Sequence, residues 1–309
     1  MKWWRPSRPP RREGRATVGE GSQGAPGDTP HRPEGPAAVD GGGTIDVHSH
    51  LVPGVDDGSR SVEEALAAVG RLVDEGVDRI VTTPHLRGSV TRAEDRFERV
   101  MAAMDEGWFR ISEAVQERFP ELIFQRGHEV LLDVPDPDLS DPRVRLAGSS
   151  AVLVEWPNFR VPPETPRSLR RLVEAGVRPV VAHPERYQGY RDAMARPGEW
   201  REVGALLQVN LGSLLGIYGP QARDRALMLL ARGWVDVLAT DFHGREDVMP
   251  YVAEARALLE GAGDPDSWAL LTRVNPQRVL EDQDPLPVAP VEIRDSLVQR
   301  LRRLFGARA

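Results

Sequence analysis

The feature that most constrains the fold is a unit in which a helix ends at a glycine and a short β-branched run follows. This unit recurs around Gly76, Gly176 and Gly233. A glycine in the left-handed conformation commonly ends a helix. Strands that alternate with helices at this spacing are typical of parallel sheets, in which each helix connects two neighbouring strands.

The number of apolar runs favours a closed arrangement over an open sheet. The first helix is predicted over residues 61–75, because Ser61 and Glu64 form a capping-box pattern at its start. We therefore expect an α/β fold, an irregular (β/α)7 barrel. Its predicted strands cover residues 44–47, 79–83, 122–124, 151–154, 179–182, 206–209 and 235–239.

Composition excludes several classes of chemistry. The 309 residues include no cysteine, which excludes disulfides, zinc–thiolate sites, iron–sulfur clusters and thiol nucleophiles. Lysine and arginine number 40 against 47 aspartate and glutamate, and the formal charge of −7 disfavours a nucleic-acid partner because phosphate backbones bind excess positive charge. No apolar run reaches the ~18–20 residues that span a membrane.

The amino-terminal part differs in composition from the rest. Residues 1–43 contain nine glycines and seven prolines, a composition that cannot bury enough apolar surface to fold. This part also lacks the apolar stretch of a signal peptide. We expect a disordered segment over residues 1–43, a folded domain over 44–284 and a cytoplasmic location.

Residues 285–309 are predicted to form an amphipathic basic tail. Apolar side chains recur there at helical spacing between residues 291 and 306, and four arginines add positive charge to an otherwise acidic chain. One interpretation is a terminal helix packed on the barrel. The other is a docking helix for a partner or an anionic membrane surface, which a basic amphipathic helix can bind.

Histidines concentrate where the predicted strands end. Only His31 lies elsewhere, and the carboxyl ends of barrel strands are where catalytic groups gather. Each histidine alone is typical of a hydrogen-bonded loop residue, but four carboxylates accompany them. The histidines are His48, His50, His85, His128, His183 and His243, and the carboxylates are Asp57, Glu129, Glu155 and Asp241.

This concentration of ionisable groups predicts a metal centre. So many charges close together are costly without a compensating charge, which divalent cations supply. Imidazole and carboxylate ligands without sulfur suit Mn²⁺, Fe²⁺ or Zn²⁺ better than Ca²⁺. The ligands are too many for one ion, and we expect two or three, an arrangement that stabilises in-line phosphoryl displacement.

Several motifs resemble a known family. The run Ile-Asp-Val-His-Ser-His-Leu-Val-Pro-Gly-Val-Asp-Asp-Gly at 45–58 resembles the opening of PHP-domain (polymerase and histidinol phosphatase) proteins. Later motifs at 83–85, 182–187, 208–216 and 240–243 follow in the same order. They narrow the resemblance to the manganese-dependent bacterial protein tyrosine phosphatases of capsule and exopolysaccharide operons, the CpsB/YwqE type.

The resemblance implies three sets of metal ligands, the first two sharing Glu129. It implies two to three divalent ions, with manganese favoured and iron or zinc as alternatives. The sets are, in order, His48, His50, Glu129 and Asp241; Glu129, Glu155 and His183; and Asp57, His85 and His243.

The resemblance also implies arginines that contact the substrate phosphate. Arg186 matches the family's phosphate-contacting arginine, and its planar guanidinium suits a phosphoryl group. Arg245 is the candidate for a second substrate arginine, although its spacing from His243 is shorter than in the family. A surface salt bridge is the alternative role for each. His128 is interpreted as a residue that supports the ligand next to it.

The activity implied is hydrolysis of phosphotyrosine by hydroxide formed from a metal-activated water. The expected substrate is a phosphotyrosine protein, namely a membrane-associated bacterial tyrosine kinase that controls capsule or exopolysaccharide synthesis. Three alternatives stay open: a histidinol-phosphate or other small-molecule phosphatase, a PHP nuclease or polymerase-proofreading module, and a non-catalytic metal-bound scaffold that docks a kinase. The acidic balance disfavours the nuclease.

Overall fold

The structure is a computed structural model that describes residues 42–188, 195–246, 248–262 and 265–293. The chain divides into two units, residues 1–38 and 39–309, and the described residues all belong to the second. The disordered segment predicted for residues 1–43 lies outside them apart from its last two residues. The predicted helix at 291–306 lies outside them from residue 294 onward.

All paired strands run parallel and form two sheets. A three-stranded sheet has the order β1-β2-β4, and a six-stranded sheet has the order β3-β5-β6-β7-β8-β9. The strands are β1 (Thr44–Asp46), β2 (Val77–Thr82), β3 (His85–Arg87), β4 (Ile123–Arg126), β5 (Glu129–Leu131), β6 (Ala151–Glu155), β7 (Arg178–Ala182), β8 (Leu206–Asn210) and β9 (Val237–Ala239).

The two sheets together occupy seven positions of an irregular barrel. Position two is β2 continued by β3, and position three is β4 continued by β5, because β2 pairs with β4 and β3 pairs with β5. Pro84 interrupts position two, since proline lacks the amide proton that a ladder needs. The seven predicted strands and the α/β fold are confirmed. The sequence analysis missed only that two of these positions are split.

Backbone hydrogen bonds just beyond β9 and β1 connect the first and last strands. The His50 amide donates to the Phe242 carbonyl and the Asp241 amide donates to the His48 carbonyl, each at 2.8 Å. Below them, the buried Asp46 carboxylate accepts hydrogen bonds from the amide and the hydroxyl of Thr240, both at 2.8 Å. Asp46 therefore joins the first and last strands directly beneath the predicted ligands.

The helices cover the outside of the strands and end as the sequence predicts. Gly76, Gly176 and Gly233 have φ angles of 87°, 76° and 62°, the left-handed region that glycine adopts without strain. The helices are α1 (Val62–Asp74), α2 (Glu94–Arg118), α3 (Thr165–Glu174), α4 (Ala195–Glu202), α5 (Leu211–Leu215), α6 (Pro220–Leu230), α7 (Val252–Glu260), α8 (Pro265–Ala269) and α9 (Asn275–Leu280).

The start of α1 confirms half of the predicted capping box. The Ser61 hydroxyl accepts a hydrogen bond from the Glu64 amide at 3.2 Å. The Glu64 carboxylate accepts from the Arg60 amide at 2.7 Å instead of reaching back to Ser61. Side chains that cap the first turn satisfy amides that have no partner inside the helix.

Strand alternation places apolar and polar layers on the inner face of the barrel. Successive strand residues point to opposite faces, so Leu153 lies below Glu155 on one strand and Ala239 lies below Asp241 at the end of another. Leu153 and Ala239 belong to a buried apolar cluster inside the barrel. The inner face is therefore apolar at the base and polar at the carboxyl end.

The segment after α9 contacts the barrel as far as it is described. The Asn275 carboxamide accepts from the Leu286 amide at 2.7 Å, and Val288 and Val291 are buried. The predicted division at residue 284 stays a prediction. Within the described residues, no helix is long and apolar enough to cross a membrane.

Candidate metal centre

Four donor atoms meet at the carboxyl end of the barrel: His48 Nε2, His50 Nε2, Glu129 Oε2 and Asp241 Oδ1. Five of the six distances between them are 3.3–3.5 Å. Donors bound at ~2.1 Å around one ion in tetrahedral geometry lie ~3.4 Å apart. The spacing of this first set therefore fits a single divalent cation.

Glu129 connects this first set to a second one. Its Oε1 lies 2.9 Å from His183 Nε2, and its Oε2 lies 3.1 Å from His85 Nδ1. Glu155 lies 3.3 Å from His85 Nδ1 and 3.9 Å from His183 Nε2. A carboxylate that uses both oxygens toward different histidines has the position of a bridging ligand.

The third set lies at the mouth of the barrel. Asp57 Oδ1 is 3.3 Å from His85 Nε2 and 3.5 Å from His243 Nε2. The side chain of Asp57 is 58% exposed, whereas that of Glu129 is 1% exposed. This set is therefore accessible to a ligand from solvent. His85 borders both this set and the second, since its two ring nitrogens face different carboxylates.

The structure thus brings all nine predicted metal ligands together. Three buried atoms among them, Glu129 Oε2, His85 Nδ1 and His183 Nδ1, make no hydrogen bond in the described part of the chain. A buried polar atom without a partner is costly. A cation between Glu129 Oε2 and His85 Nδ1, which lie 3.1 Å apart, would satisfy both of these atoms, so the donor set fits a divalent metal.

The carboxylates and imidazoles shift each other's pKa values in opposite directions. Burial opposes charge on all of them, but Glu129 and Asp241 outweigh it and raise the pKa of His48. Glu129 and Glu155 likewise raise the pKa of His85 to about 10. In return, the neighbouring histidines hold the pKa of Glu129 well below its usual range. Glu129 is therefore ionised and ready to bind a cation.

Two of the predicted ligands occupy a backbone conformation that is unusual for residues other than glycine. The φ angles of His183 and Asp241 are 35° and 54°. Such conformations cost about 1–3 kcal/mol each and persist at functional sites where surrounding structure holds them. Each residue follows the last residue of its strand closely, so the turn directs its side chain over the barrel opening.

Sequence reasoning gave no role to Asp56, which orients two ligands. Its Oδ2 accepts from His50 Nδ1 at 2.8 Å and from the His85 amide at 3.0 Å, and its Oδ1 accepts from the Gly58 amide at 2.9 Å. Gly58 is required there because a Cβ atom would collide with the His50 carbonyl. The adjacent pair of aspartates before a glycine was the available signal.

Arg186 lies beside the first set of ligands. Its Nη1 donates to Asp241 Oδ2 at 2.7 Å. Its guanidinium carbon lies 4.5 Å from the ring centre of Phe159 and 4.2 Å from that of Tyr218, at cation–π distance. Sequence reasoning missed both aromatic residues. They hold the guanidinium beside the predicted ligands, and the Arg186 side chain is 21% exposed.

Arg245 is exposed and lies at the mouth. Its guanidinium donates to the Asp57 carbonyl, and Arg71 binds the carbonyls of its loop, including that of Arg245 at 2.9 Å. Arg245 therefore borders the exposed third set. Its role toward a substrate stays a prediction.

His128 does not support the ligands. Its Nδ1 donates to the Arg143 carbonyl at 3.0 Å, and its Nε2 lies 3.1 Å from Met104 Sδ. Burial lowers the pKa of His128 to about 4, so the ring is neutral. Because side chains alternate along a strand, His128 points away from the face that Glu129 occupies. The proposed supporting role is wrong.

Comparison with known proteins decides the family. The family model for capsular polysaccharide synthesis, CpsB/CapC, matches residues 44–281. The chain belongs to the CpsB/CapC family. This confirms the resemblance found in the sequence, and the match covers the whole region in which the site residues lie.

Named relatives of this CpsB/CapC chain are tyrosine-protein phosphatases. CpsB of Streptococcus pneumoniae is 28% identical over 246 residues, which cover 77% of this chain and 99% of the relative. YwqE of Bacillus subtilis (strain 168) is 26% identical over 264 residues, which cover 85% and 99%. A crystal structure described with YwqE and CpsB as unique metal-dependent tyrosine phosphatases has a TM-score of 0.67 at 24% identity, covering 81% of this chain and 100% of that one. The last comparison confirms the fold.

Metal binding is expected to release protons. The neighbouring carboxylates raise the pKa of His50 above its ordinary value and raise that of His85 to about 10, so the His85 ring carries a proton at pH 7 that an ion must displace. Affinity for Mn²⁺ should therefore rise as the pH rises from 6 to 8. Calorimetric titration with Mn²⁺ in buffers of different ionisation enthalpy measures the protons released. Binding heats that do not depend on the buffer would contradict this charge state.

Proposed function

We propose that the chain is a metal-dependent protein tyrosine phosphatase of the CpsB/CapC family. The observation that supports this function best is the convergence of nine ligands at an open barrel mouth with an arginine beside them. Multiple divalent ions with an adjacent cation form the kind of centre that catalyses phosphoryl transfer.

The proposed ligand sets are the three predicted from the resemblance. His48, His50, Glu129 and Asp241 would hold one ion, and the other two would be held around Glu155 and around Asp57. Two to three ions are proposed, with manganese favoured over iron or zinc. Such ions, when bound, lower the pKa of water toward neutrality and neutralise charge on a phosphoryl group.

The protein groups contribute binding and orientation of the substrate. The charged fork of Arg186 would contact equatorial phosphate oxygens, where negative charge develops. Phe159 and Tyr218 fix the guanidinium and present aromatic surface beside it. An aryl group packs well against such rings, which favours a phenyl phosphate over an alkyl phosphate.

The leaving group gives a second reason to favour phosphotyrosine. The phenol of tyrosine has a pKa of about 10, so its phenolate leaves without the general acid that an alkyl alkoxide needs. In the described site, the neighbouring histidines hold the pKa values of Glu129 and Asp241 low, so these two carboxylates are ionised rather than protonated. These two carboxylates therefore offer no carboxylic acid to protonate a leaving group, which suits an aryl phosphate.

The cellular setting is proposed from the family. The substrate would be a phosphotyrosine protein, a membrane-associated tyrosine kinase acting in capsule or exopolysaccharide synthesis, and the phosphatase would act in the cytoplasm. The basic tail, residues 285–309, would contact that partner or the membrane. This last role rests on residues that mostly lie outside the described part of the chain.

A comparison of substrates tests the proposed function. The Mn²⁺-loaded protein should hydrolyse a phosphotyrosine peptide with a kcat/KM at least about a hundredfold above that for histidinol phosphate, because the alkyl substrate lacks both the aryl contact and the good leaving group. Phosphate release measures both rates. A preference for histidinol phosphate would indicate the small-molecule phosphatase, and turnover of neither would indicate the non-catalytic scaffold.

A further inference from the structure

Two buried amide side chains connect the metal ligands His48 and Asp241 from behind. His48 Nδ1 lies 2.8 Å from Gln208 Oε1, Gln208 Nε2 donates to Asn210 Oδ1 at 2.9 Å, and Asn210 Nδ2 donates to Asp241 Oδ2 at 2.7 Å. Both amides are fully buried. These three hydrogen bonds form an unbroken chain, which we call the amide relay.

The donor and the acceptor of every hydrogen bond in the amide relay follow from the Asp241 carboxylate at one end of it. The ionised Asp241 carboxylate can only accept, so Asn210 must present its NH₂ group to it. Asn210 then offers its oxygen to Gln208, which must donate through its own NH₂ group. The oxygen of Gln208 therefore faces His48, which must carry a proton on Nδ1.

This direction leaves the opposite atoms of both ligands available. With its proton on Nδ1, a neutral His48 ring has its lone pair on Nε2, the atom that faces Glu129 and His50. Asp241 Oδ2 is occupied by Asn210 and Arg186, so Oδ1 is the oxygen that faces the first set. The amide relay therefore selects one donor atom on each ligand.

Strand geometry places the amide relay there. Gln208 and Asn210 are two residues apart on β8 and share its inward face, above the apolar Leu206. The backbone amide of Asn210 also donates to the buried Glu185 carboxylate at 3.1 Å, which holds the end of the strand. A strand positions side chains for such hydrogen bonds more rigidly than a loop does.

We propose that Gln208 and Asn210 are positioning residues that set the tautomer of His48 and the orientation of Asp241 for the first metal ion. Groups that hold metal ligands in this way typically contribute 10- to 100-fold in metal affinity. Because the amide relay has two members in series, breaking either one should release both ends. The inference rests on the proposed metal site and adds a role for two residues outside the ligand sets.

The test measures Mn²⁺ affinity rather than turnover. The variants are Gln208→Met and Asn210→Leu, which keep side-chain size but remove the hydrogen bonds, and the double variant. Each single change should weaken Mn²⁺ binding about 10- to 100-fold, measured by competition with a chelator. The double variant should lose little more Mn²⁺ affinity than the weaker-binding single variant, because one missing hydrogen bond already disconnects the amide relay.

The matched control is Ser213→Ala. Ser213 is buried on α5, the helix that follows β8, and donates to Glu185 at 2.6 Å, so its loss removes a buried hydrogen bond without touching a predicted ligand. Its Mn²⁺ affinity should equal that of the wild-type chain. The relay variants should weaken one class of Mn²⁺ site and spare the ion near Asp57, whereas a general loss of folding would weaken all classes together.

Each outcome decides between distinct explanations. Wild-type affinity in both single variants would overturn the amide relay while leaving the metal site intact. Independent, additive losses would show two separate contacts and would also overturn it. Failure of the wild-type chain to bind Mn²⁺ would overturn the proposed function and the relay together.

Discussion

Glu129→Gln is expected to lower phosphatase activity by about a thousandfold or more and to remove bound metal. Glu129 is buried within 3.4 Å of four histidine rings through its two oxygens. The amide keeps the size of the side chain but removes the charge that binds cations and supplies donor protons instead. Without the ions, neither water activation nor charge neutralisation remains.

Metal analysis and phosphotyrosine turnover measure this loss together. Glu121→Gln is the matched control, because Glu121 is exposed just before β4, at the end of the barrel opposite the site. It should keep full activity and full metal content. Circular dichroism checks that the Glu129→Gln chain folds. A folded variant that retains its metal and most of its turnover would show that Glu129 is not the bridging ligand.

Arg186→Lys is expected to lower kcat about ten- to a hundredfold with the metal content unchanged. Lysine keeps the positive charge but loses the planar fork that binds two phosphate oxygens, and one charge-assisted contact contributes about 1.5–3 kcal/mol. Asp241 keeps its hydrogen bond from Asn210, so the first set of ligands stays oriented.

The control for this variant is Arg170→Lys, an exposed arginine on α3, which should leave kcat unchanged. The split between turnover and metal content distinguishes two roles of Arg186. Loss of metal together with turnover would assign it only to the support of Asp241. Unchanged kcat would remove it from the proposed contact with the phosphate.

The seven barrel positions and the glycines at the helix ends were predictable because they depend on local sequence. Gly76, Gly176 and Gly233 each take the left-handed conformation, and helix ends of this kind need no information about distant residues. The convergence of the nine side chains proposed as metal ligands was also predictable, since parallel strands in a barrel share one carboxyl end. Sequence periodicity indicates the strand positions, and barrel topology indicates where the side chains converge.

Contacts that depend on distant residues were not predictable. The pairing of Arg186 with Phe159 and Tyr218 joins three separate loops, and no local pattern indicates it. The sequence analysis also did not predict that His128 is neutral and faces the core, because its position after a strand resembles that of the predicted ligands. Its side-chain direction depends on where Glu129 begins the next short strand.

The polar residues of β8 were predictable only in part. Gln208 and Asn210 alternate with Leu207 and Val209, which is sufficient to place both amides on one face of a strand. Which predicted ligands they contact depends on the backbone hydrogen bond that brings His48 and Asp241 together. The pattern therefore indicates a buried polar pair, and the tertiary structure supplies its partners.

The most direct measurement is phosphotyrosine turnover during stepwise removal and return of metal. The protein is treated with a chelator, dialysed, analysed for metal content and assayed on a phosphotyrosine peptide before and after graded addition of Mn²⁺. The account predicts activity that disappears with the metal and returns in proportion to the Mn²⁺ bound. Full activity in protein shown to be free of metal would contradict it.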